Sequence, residues 1–338
     1  MRISELGEFG LISLVQEWTR DANDSPWGSF SDAYRLTVDN GDDAAAATFL
    51  SAPVTELYTT DTMVDGIHFT AATTPWRDLG WKAIASNISD VAAMGGESAV
   101  ALITLGLPPE TRVSDIRDLY AGMTAICREY GARIVGGDMV RSPTAFITVA
   151  LTGITKQDPM LRTSAAPGHR IAVSGPVGGS AGGLRVMLNP PGSSGAATET
   201  LIERHRRPRP HIAEGRILAA AGVRSAMDVS DGLADDLGKL CTASGVAATL
   251  WAGNIPAEPA LQEVFPTDWL DLALYGGEDY VLLFTAPPAT MDAAIRQLPP
   301  GAAVVGEITH GQPGTISVLN PDGSSRPRGG AGWDHFTG

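Results

Sequence analysis

The residues best placed to do chemistry in this 338-residue chain are carboxylates in positions where a carboxylate is costly. Asp42–Asp43 follow Gly41, Asp61 falls within Leu-Tyr-Thr-Thr-Asp-Thr (57–62), and Asp90 lies in the otherwise apolar run from Trp81 to Met94. Asp138 follows Gly136–Gly137, Asp228 and Asp231 flank Ser230, and Glu278–Asp279 follow Gly276–Gly277. Apolar neighbours draw several of these groups out of water, which is unfavourable unless the charge is paired or bound to a cation. The chain has only three lysines, Lys82, Lys156 and Lys239, so most of these acids have no obvious cation nearby in sequence. Oxygen donors without accompanying Cys or His suit Mg2+ or Ca2+ rather than zinc. Any one Asp, taken alone, is better explained as an N-cap, a turn former or a surface charge. Asp61 and Asp90 fit that plain role least, because neither occupies a turn.

Glycines beside these acids suit a phosphate site, since backbone N–H groups can approach a ligand closely there. Gly136–Gly137–Asp138 and the run Gly175 to Gly183 are the candidates, the second reading better as a tight structural turn. There is no Walker A motif: the one Gly-Lys pair, Gly238–Lys239, is followed by Leu240. A Rossmann glycine fingerprint and the protein-kinase signature set are also absent. His68 reads as a half-buried polar residue at a strand end, and the basic run Arg204 to His211 as a solvated helix start or a phosphate contact. Trp333 could pack the tail, or stack on a flat cationic heterocycle.

The elements that must position these groups follow from local pattern. Residues 57–62 read as a strand. Thr74–Pro75 starts a helix, with Thr74 as N-cap, that runs to about Met94 and ends at Gly95–Gly96. A second helix spans 116–130, closed by Gly131. Residues 133–135 form a short strand ending in Gly136–Gly137–Asp138, and 146–153 another. Residues 154–169, with Pro159, Pro167 and Gly168, mark the expected domain boundary. Beyond it, strands are expected at 170–174, 226–229 and 280–285, a glycine-rich turn enters a helix at 175–183, and a helix runs from Gly232 through Leu240. Residues 189–198 have linker composition.

Composition bounds the possibilities. Apolar residues make up 43% and charged residues 18%, which suffices for sizeable cores and excludes a disordered chain. With 24 Lys plus Arg against 38 Asp plus Glu the net charge is −14, a poor match to nucleic acid. Two cysteines, Cys127 and Cys241, are too few for a disulfide scaffold. The N-terminal residues carry Glu5 and Glu8 where a signal peptide would be apolar, and the apolar stretch 99–107 is too short to span a membrane. A cytoplasmic protein is expected.

Taken together, the ordered motifs resemble the thiamine-monophosphate kinase family. They are Glu-Phe-Gly-Leu-Ile (8–12), Gly-Asp-Asp-Ala (41–44), Thr-Thr-Asp-Thr-Met-Val-Asp-Gly-Ile-His-Phe (59–69), Asn-Ile-Ser-Asp-Val-Ala-Ala-Met-Gly (87–95), Gly-Gly-Asp (136–138), Asp-Val-Ser-Asp-Gly-Leu (228–233), Gly-Gly-Glu-Asp-Tyr (276–280) and Gly-Trp-Asp-His-Phe (332–336). The resemblance implies the PurM-like fold of the aminoimidazole-ribonucleotide synthetase superfamily, an α/β (α+β) class. Its N-terminal mixed sheet with helices, expected over 1–155, binds ATP and metal and pairs across a homodimer. A C-terminal α/β domain over 156–338 completes the site. The implied reaction is ATP-dependent phosphorylation of thiamine monophosphate to thiamine diphosphate with several Mg2+ ions. Carried over residue by residue, Asp43, Thr59, Thr60, Asp61, Asp90, Asp138, Asp228 and Asp231 would be metal ligands, with Asp61, Asp90, Asp228 and Asp231 at the catalytic centre. Tyr120, Gly137, Asp138, Arg162 and Ser230 would contact ATP, and His68, Glu278 and Trp333 would hold thiamine monophosphate. Thr59 often stands as Ser in the family, which keeps the hydroxyl. Thr60 points away from Thr59 and Asp61 on a strand, so it would ligate through its backbone carbonyl.

The acceptor phosphate is largely ionised at pH 7, its second pKa being about 6, so no general base is needed. Direct in-line transfer, with metal screening two polyanions, is the expected mechanism. The alternatives are an aminoimidazole-ribonucleotide synthetase-like enzyme and a non-catalytic thiamine-phosphate or nucleotide-binding regulator. A selenophosphate enzyme would need a reactive residue near the N-terminus, and no Cys precedes Cys127. A hydrogenase-maturation relative would end in Cys, whereas this sequence ends His335-Phe-Thr-Gly.

Overall fold

The structure is a computed structural model that describes residues 1–6, 8–23, 34–38, 46–49, 54–191 and 195–327. Asp43 and Trp333 therefore lie outside the described residues. Contacts divide the chain into two units: Met1–Val91 with Glu97–Lys156, and Ala92–Gly96 with Gln157–Gly338.

The first unit contains α1 (Ile3–Leu6), α2 (Glu8–Asn23), β1 (Tyr34–Val38), β2 (Ala46–Phe49), β3 (Thr55–Val64), α3 (Trp76–Ala93), β4 (Glu97–Leu107), α4 (Val113–Tyr130), β5 (Arg133–Arg141) and β6 (Phe146–Thr155). Strands β3, β6, β4 and β5 form a mixed sheet in that order, with only β4 and β5 parallel. Parallel neighbours need a crossover, and α4 provides it. One sheet face buries Leu57, Met63, Ile103, Leu105, Ile147, Val149 and Leu151. Val91 of α3 sits over Gly153 on this face, where a Cβ would meet it at 2.6 Å. The other face leaves Tyr58, Leu102 and Val140 exposed.

Helices α3 and α4 touch backbone to backbone through a reciprocal glycine pair. A Cβ on Gly80 would lie 1.9 Å from the Leu119 carbonyl oxygen, and one on Gly122 would lie 1.8 Å from that of Arg77. Gly131, at φ 76°, closes α4, a conformation that costs glycine nothing.

The second unit contains β7 (Arg170–Val173), α5 (Gly179–Leu188), α6 (Ala196–Arg206), α7 (Ile212–Ala220), β8 (Ser225–Asp228), α8 (Leu233–Ser244), β9 (Ala247–Trp251), a 3-10 turn (Ala252–Asn254), α9 (Pro259–Val264), α10 (Trp269–Tyr275), β10 (Leu282–Ala286), α11 (Pro288–Ile295), β11 (Ala303–Thr309), β12 (Ile316–Leu319) and β13 (Ser325–Arg326). Its seven-stranded sheet runs β13-β12-β9-β11-β7-β10-β8. Alternate residues of the same strands feed two cores. Ile171, Val173, Met227 and Leu283 pack with Leu237, Leu240 and Leu261. Ala172, Ala226, Leu282 and Phe284 pack with Leu218, Met291 and the pair Ala92–Ala93.

Four local expectations need correction. The helix expected from Thr74, α3, begins at Trp76, and the Pro75 carbonyl accepts from Leu79 N, so Pro75 rather than Thr74 is its N-cap. Strand β5 does not end at Gly136–Gly137–Asp138 but runs through them to Arg141, because β4 continues to pair with it along that length. The basic run Arg204 to His211 closes α6 and links it to α7 instead of starting a helix. Strand β10 begins at Leu282, not Tyr280, because Glu278 and Tyr280 have φ of 67° and 54°, which no strand accommodates. Among the described residues no helix is long and apolar enough to cross a membrane.

Candidate functional site

In the first unit Thr59, Thr60 and Asp61 lie on β3 and Asp90 on α3. Thr59 and Asp61 are partly buried and Thr60 is exposed, the alternation a strand imposes. The Thr59 hydroxyl donates to the Asp90 carboxylate on α3, so these two positions, 31 residues apart, meet directly. His68 lies in the turn after β3, and its Nδ1 accepts from the Val64 amide at 3.1 Å. Tyr120 is only 3% exposed, with its ring 6.4 Å from that of Trp18, so it is packed into the unit. Burial holds its phenol well above the usual range.

Gly137 and Asp138 lie on β5, at the opposite edge of the sheet from β3. Asp61 pairs with Val149, Val149 with Ile103, and Ile103 with Gly137, so the row through Asp61 ends beside Asp138. Three strand spacings separate the two edges by ~14 Å. The next row, Thr62, Thr148, Thr104 and Asp138, places Asp138 on the exposed face and Asp61 on the other. Within one chain these two acids are not brought together. Gly137 is demanded by the sheet, since a Cβ there would lie 1.8 Å from the Ile103 carbonyl oxygen.

In the second unit the loop after β8 is the centre. Asp228 ends that strand and is 3% exposed. The Ser230 and Asp231 amides both donate to Asp236 Oδ2 at 2.9 Å, and Asp236, itself fully buried, also accepts from Lys239 at 2.7 Å. Lys239 reaches Asp231 as well, which supplies the cation that the sequence had seemed to withhold. Burial raises the Asp236 carboxyl in spite of Lys239. The segment 276–280 docks on this loop. Glu278 N donates to the Ser230 carbonyl at 2.8 Å and Tyr280 N to that of Val229 at 2.9 Å. A Cβ on Gly277 would lie 2.4 Å from the Ser230 oxygen, so only glycine allows this approach. Arg162 is exposed, and its carbonyl accepts from Ser244 Oγ at 2.7 Å.

The glycine-rich run 175–183 serves packing. A Cβ on Gly183 would lie 2.0 Å from the Leu201 carbonyl oxygen, so α5 and α6 are in near backbone contact. Its amides are also taken: Asp279 accepts from Gly178 N at 2.6 Å and Ser180 N at 3.0 Å. Loss of hydration pushes the Asp279 carboxyl up to about 7, against the pull of those amides and of Arg204. The unfolded chain then releases this proton at lower pH than the folded one, so its contribution to stability falls as pH rises from about 4 to 7. Asp279→Asn is expected to flatten that decline, read as thermal unfolding midpoints at pH 5 and pH 8.

Sequence reasoning left Asp236, Ser180 and His205 without a role and gave Asp279 none beyond its motif. The signal for Asp236 was available: an acid in the first turn after Gly232 can accept the amides that precede a helix. His205 had no such signal, because its partner Ser180 lies 25 positions away.

Mg2+ keeps several waters and takes one or two carboxylates plus substrate phosphates. Among the described residues no group of three or more His, Cys, Asp or Glu could hold a metal ion. The hydroxyl–carboxylate pair Thr59–Asp90, with Asp61 on the same strand face as Thr59, fits part of such an oxygen set. The described residues of the first unit do not close a cage by themselves.

Two family models match, AIR synthase related protein N-terminal domain over residues 41–155 and AIR synthase related protein C-terminal domain over 166–318. A thiamine-monophosphate kinase of Synechococcus elongatus is 35% identical over 317 residues, covering 91% of this chain and 90% of that relative. The crystal structure of thiamine-monophosphate kinase from Stenotrophomonas maltophilia K279a is similar with a TM-score of 0.77 at 33% identity, covering 95% of this chain and 98% of the other. A structure described as AaThiL complexed with AMPPCP and TMP is similar with a TM-score of 0.74 at 31% identity, covering 99% of both chains.

Proposed function

The chain belongs to the AIR synthase related protein family, among its thiamine-monophosphate kinases, and from that premise we propose that it transfers the terminal phosphoryl group of ATP to thiamine monophosphate, giving thiamine diphosphate and ADP. The observation that carries this reading is the likeness, over 99% of the chain, to a structure holding an ATP analogue and thiamine monophosphate. The acceptor is a phosphate oxygen already ionised near neutral pH, so the transfer needs no general base.

In this reading Asp43, Thr59, Thr60, Asp61, Asp90, Asp138, Asp228 and Asp231 hold Mg2+, with Asp61, Asp90, Asp228 and Asp231 at the catalytic centre. When bound, the metal screens the negative charge of two phosphate groups as they approach in line. Ser230, Gly137, Asp138, Tyr120 and Arg162 hold the nucleotide. His68, Glu278 and Trp333 hold thiamine monophosphate. The hydrogen bonds from Ser230 and Asp231 to Asp236 support a fixed loop geometry for this task.

We further propose a homodimer formed through the exposed face of the first unit's sheet. The exposed apolar side chains Tyr58, Leu102 and Val140 on that face support it. Burying that face against a second copy removes apolar surface from water. Leu102→Glu is expected to convert a dimer to a monomer in light scattering and to lower turnover. A monomeric wild type would overturn this proposal.

The function is tested by ADP release with thiamine monophosphate, ATP and Mg2+, run beside thiamine and an aminoimidazole precursor. Release with thiamine monophosphate alone is the expected result. Release only with the aminoimidazole precursor, or none with any acceptor, would reject the kinase reading.

A further inference from the structure

The residue assigned to the substrate, Glu278, sits at φ 67°, and Tyr280 two positions on sits at φ 54°. Both are left-handed conformations that a side-chain-bearing residue adopts only when its surroundings enforce them. Three anchors do the enforcing. The first is the docking of Glu278 N and Tyr280 N on the carbonyls of Ser230 and Val229. The second is the Asp279 carboxylate, which accepts the Gly178 and Ser180 amides at the start of α5. The third lies under Glu278: His205, 2% exposed, is 3.0 Å through Nδ1 from Ser180 Oγ and 3.6 Å from Glu278 Oε2. Ser180 thus joins the second and third anchors, its amide on Asp279 and its hydroxyl on His205. Arg204 and Glu258, paired at 2.9 Å, are the other charged groups that act on Asp279.

We propose that Asp279 and His205 are positioning residues that together set the backbone and carboxylate of Glu278, and so determine how tightly thiamine monophosphate is held. Neither touches substrate; each acts through Glu278. The inference rests on the kinase reading and on the assignment of Glu278 to the substrate.

The test is steady-state kinetics on Asp279→Asn, His205→Gln and Glu278→Gln, with the doubles Asp279→Asn/Glu278→Gln and His205→Gln/Glu278→Gln, alongside thermal unfolding. Asparagine keeps the size of Asp279 and can still accept one of the two amides through its oxygen, but it sets an NH2 donor against the other. Each single variant is expected to raise KM for thiamine monophosphate about tenfold, some 1.4 kcal/mol, while KM for ATP stays within about twofold. In the Glu278→Gln background the same changes should add less than about twofold, because residues acting through a shared partner are not additive. Multiplying effects in the doubles, equal rises in both KM values, or unchanged kinetics would overturn the proposal. If Asp279→Asn fails to fold, His205→Gln and its double decide alone. A wild type with no kinase activity would fail the functional reading, whereas an active wild type with additive doubles would fail only this inference.

Discussion

Asp61→Asn and Asp228→Asn are each expected to lower turnover roughly 10^3-fold, about 4 kcal/mol of transition-state stabilisation, with the fold intact. The substitution keeps the side chain's size and replaces one charged acceptor oxygen with an NH2 donor. Asp61 lies partly exposed on β3, and Asp228 ends β8 with 3% exposure. Removing a charge from a buried strand end does not open a cavity, so unfolding midpoints should move by only a few degrees. If these carboxylates hold Mg2+, the half-saturating Mg2+ concentration must rise in both variants together with the fall in rate. The same two enzymes assayed across a Mg2+ series check this. Near-normal rates at low Mg2+ would remove both residues from the metal set.

Gly122→Leu is expected to destabilise the first unit by about 3 kcal/mol or more. The obstacle is the Arg77 carbonyl oxygen, 1.8 Å from where a Cβ would sit, and it belongs to the backbone of α3. A flexible side chain could rotate away, but a helix backbone cannot, so the two helices must part. Gly80 imposes the same constraint from α3 against Leu119. Since α3 also carries Asp90, separation should disturb the Thr59–Asp90 contact along with the core. Gly238→Ala in α8 is the contrasting variant. Its nearest neighbours lie at 3.6 and 3.9 Å, ordinary contact distances, so it should gain up to about 1 kcal/mol from helix propensity. Thermal or urea unfolding of the two variants beside wild type reads both signs.

Local pattern made the main elements of the first unit legible because its signals were strong. Pro75 and Gly95 bracket α3, Gly131 closes α4, and the β-branched run around Thr59 could hardly be anything but a strand. What stayed hidden was set by long-range pairing. Gly136 and Gly137 look like a turn by composition, yet they are strand residues because β4 runs so close beside them. Strand order was equally invisible, and with it the fact that Asp61 and Asp138 occupy opposite sheet edges. The Asp-Val-Ser-Asp-Gly and Gly-Gly-Glu-Asp-Tyr motifs were legible as candidates, but not their mutual docking. That depends on carbonyls of Val229 and Ser230 meeting amides some fifty residues away. Asp236 was legible from its place in the first turn after Gly232, whereas His205 was not, because its partner Ser180 is remote in sequence.

Ala92–Gly96 group with the second unit although the chain on both sides of them groups with the first. Ala92 and Ala93 fill its core beside Leu218 and Phe284, and the Ala92 carbonyl oxygen lies 2.2 Å from where a Gly215 Cβ would be. A fragment starting at Gln157 would contain the whole seven-stranded sheet and still lack this plug. The two units are therefore interleaved along the sequence. Swapping halves between homologues should succeed only when the short peptide from position 92 to 96 travels with the C-terminal partner.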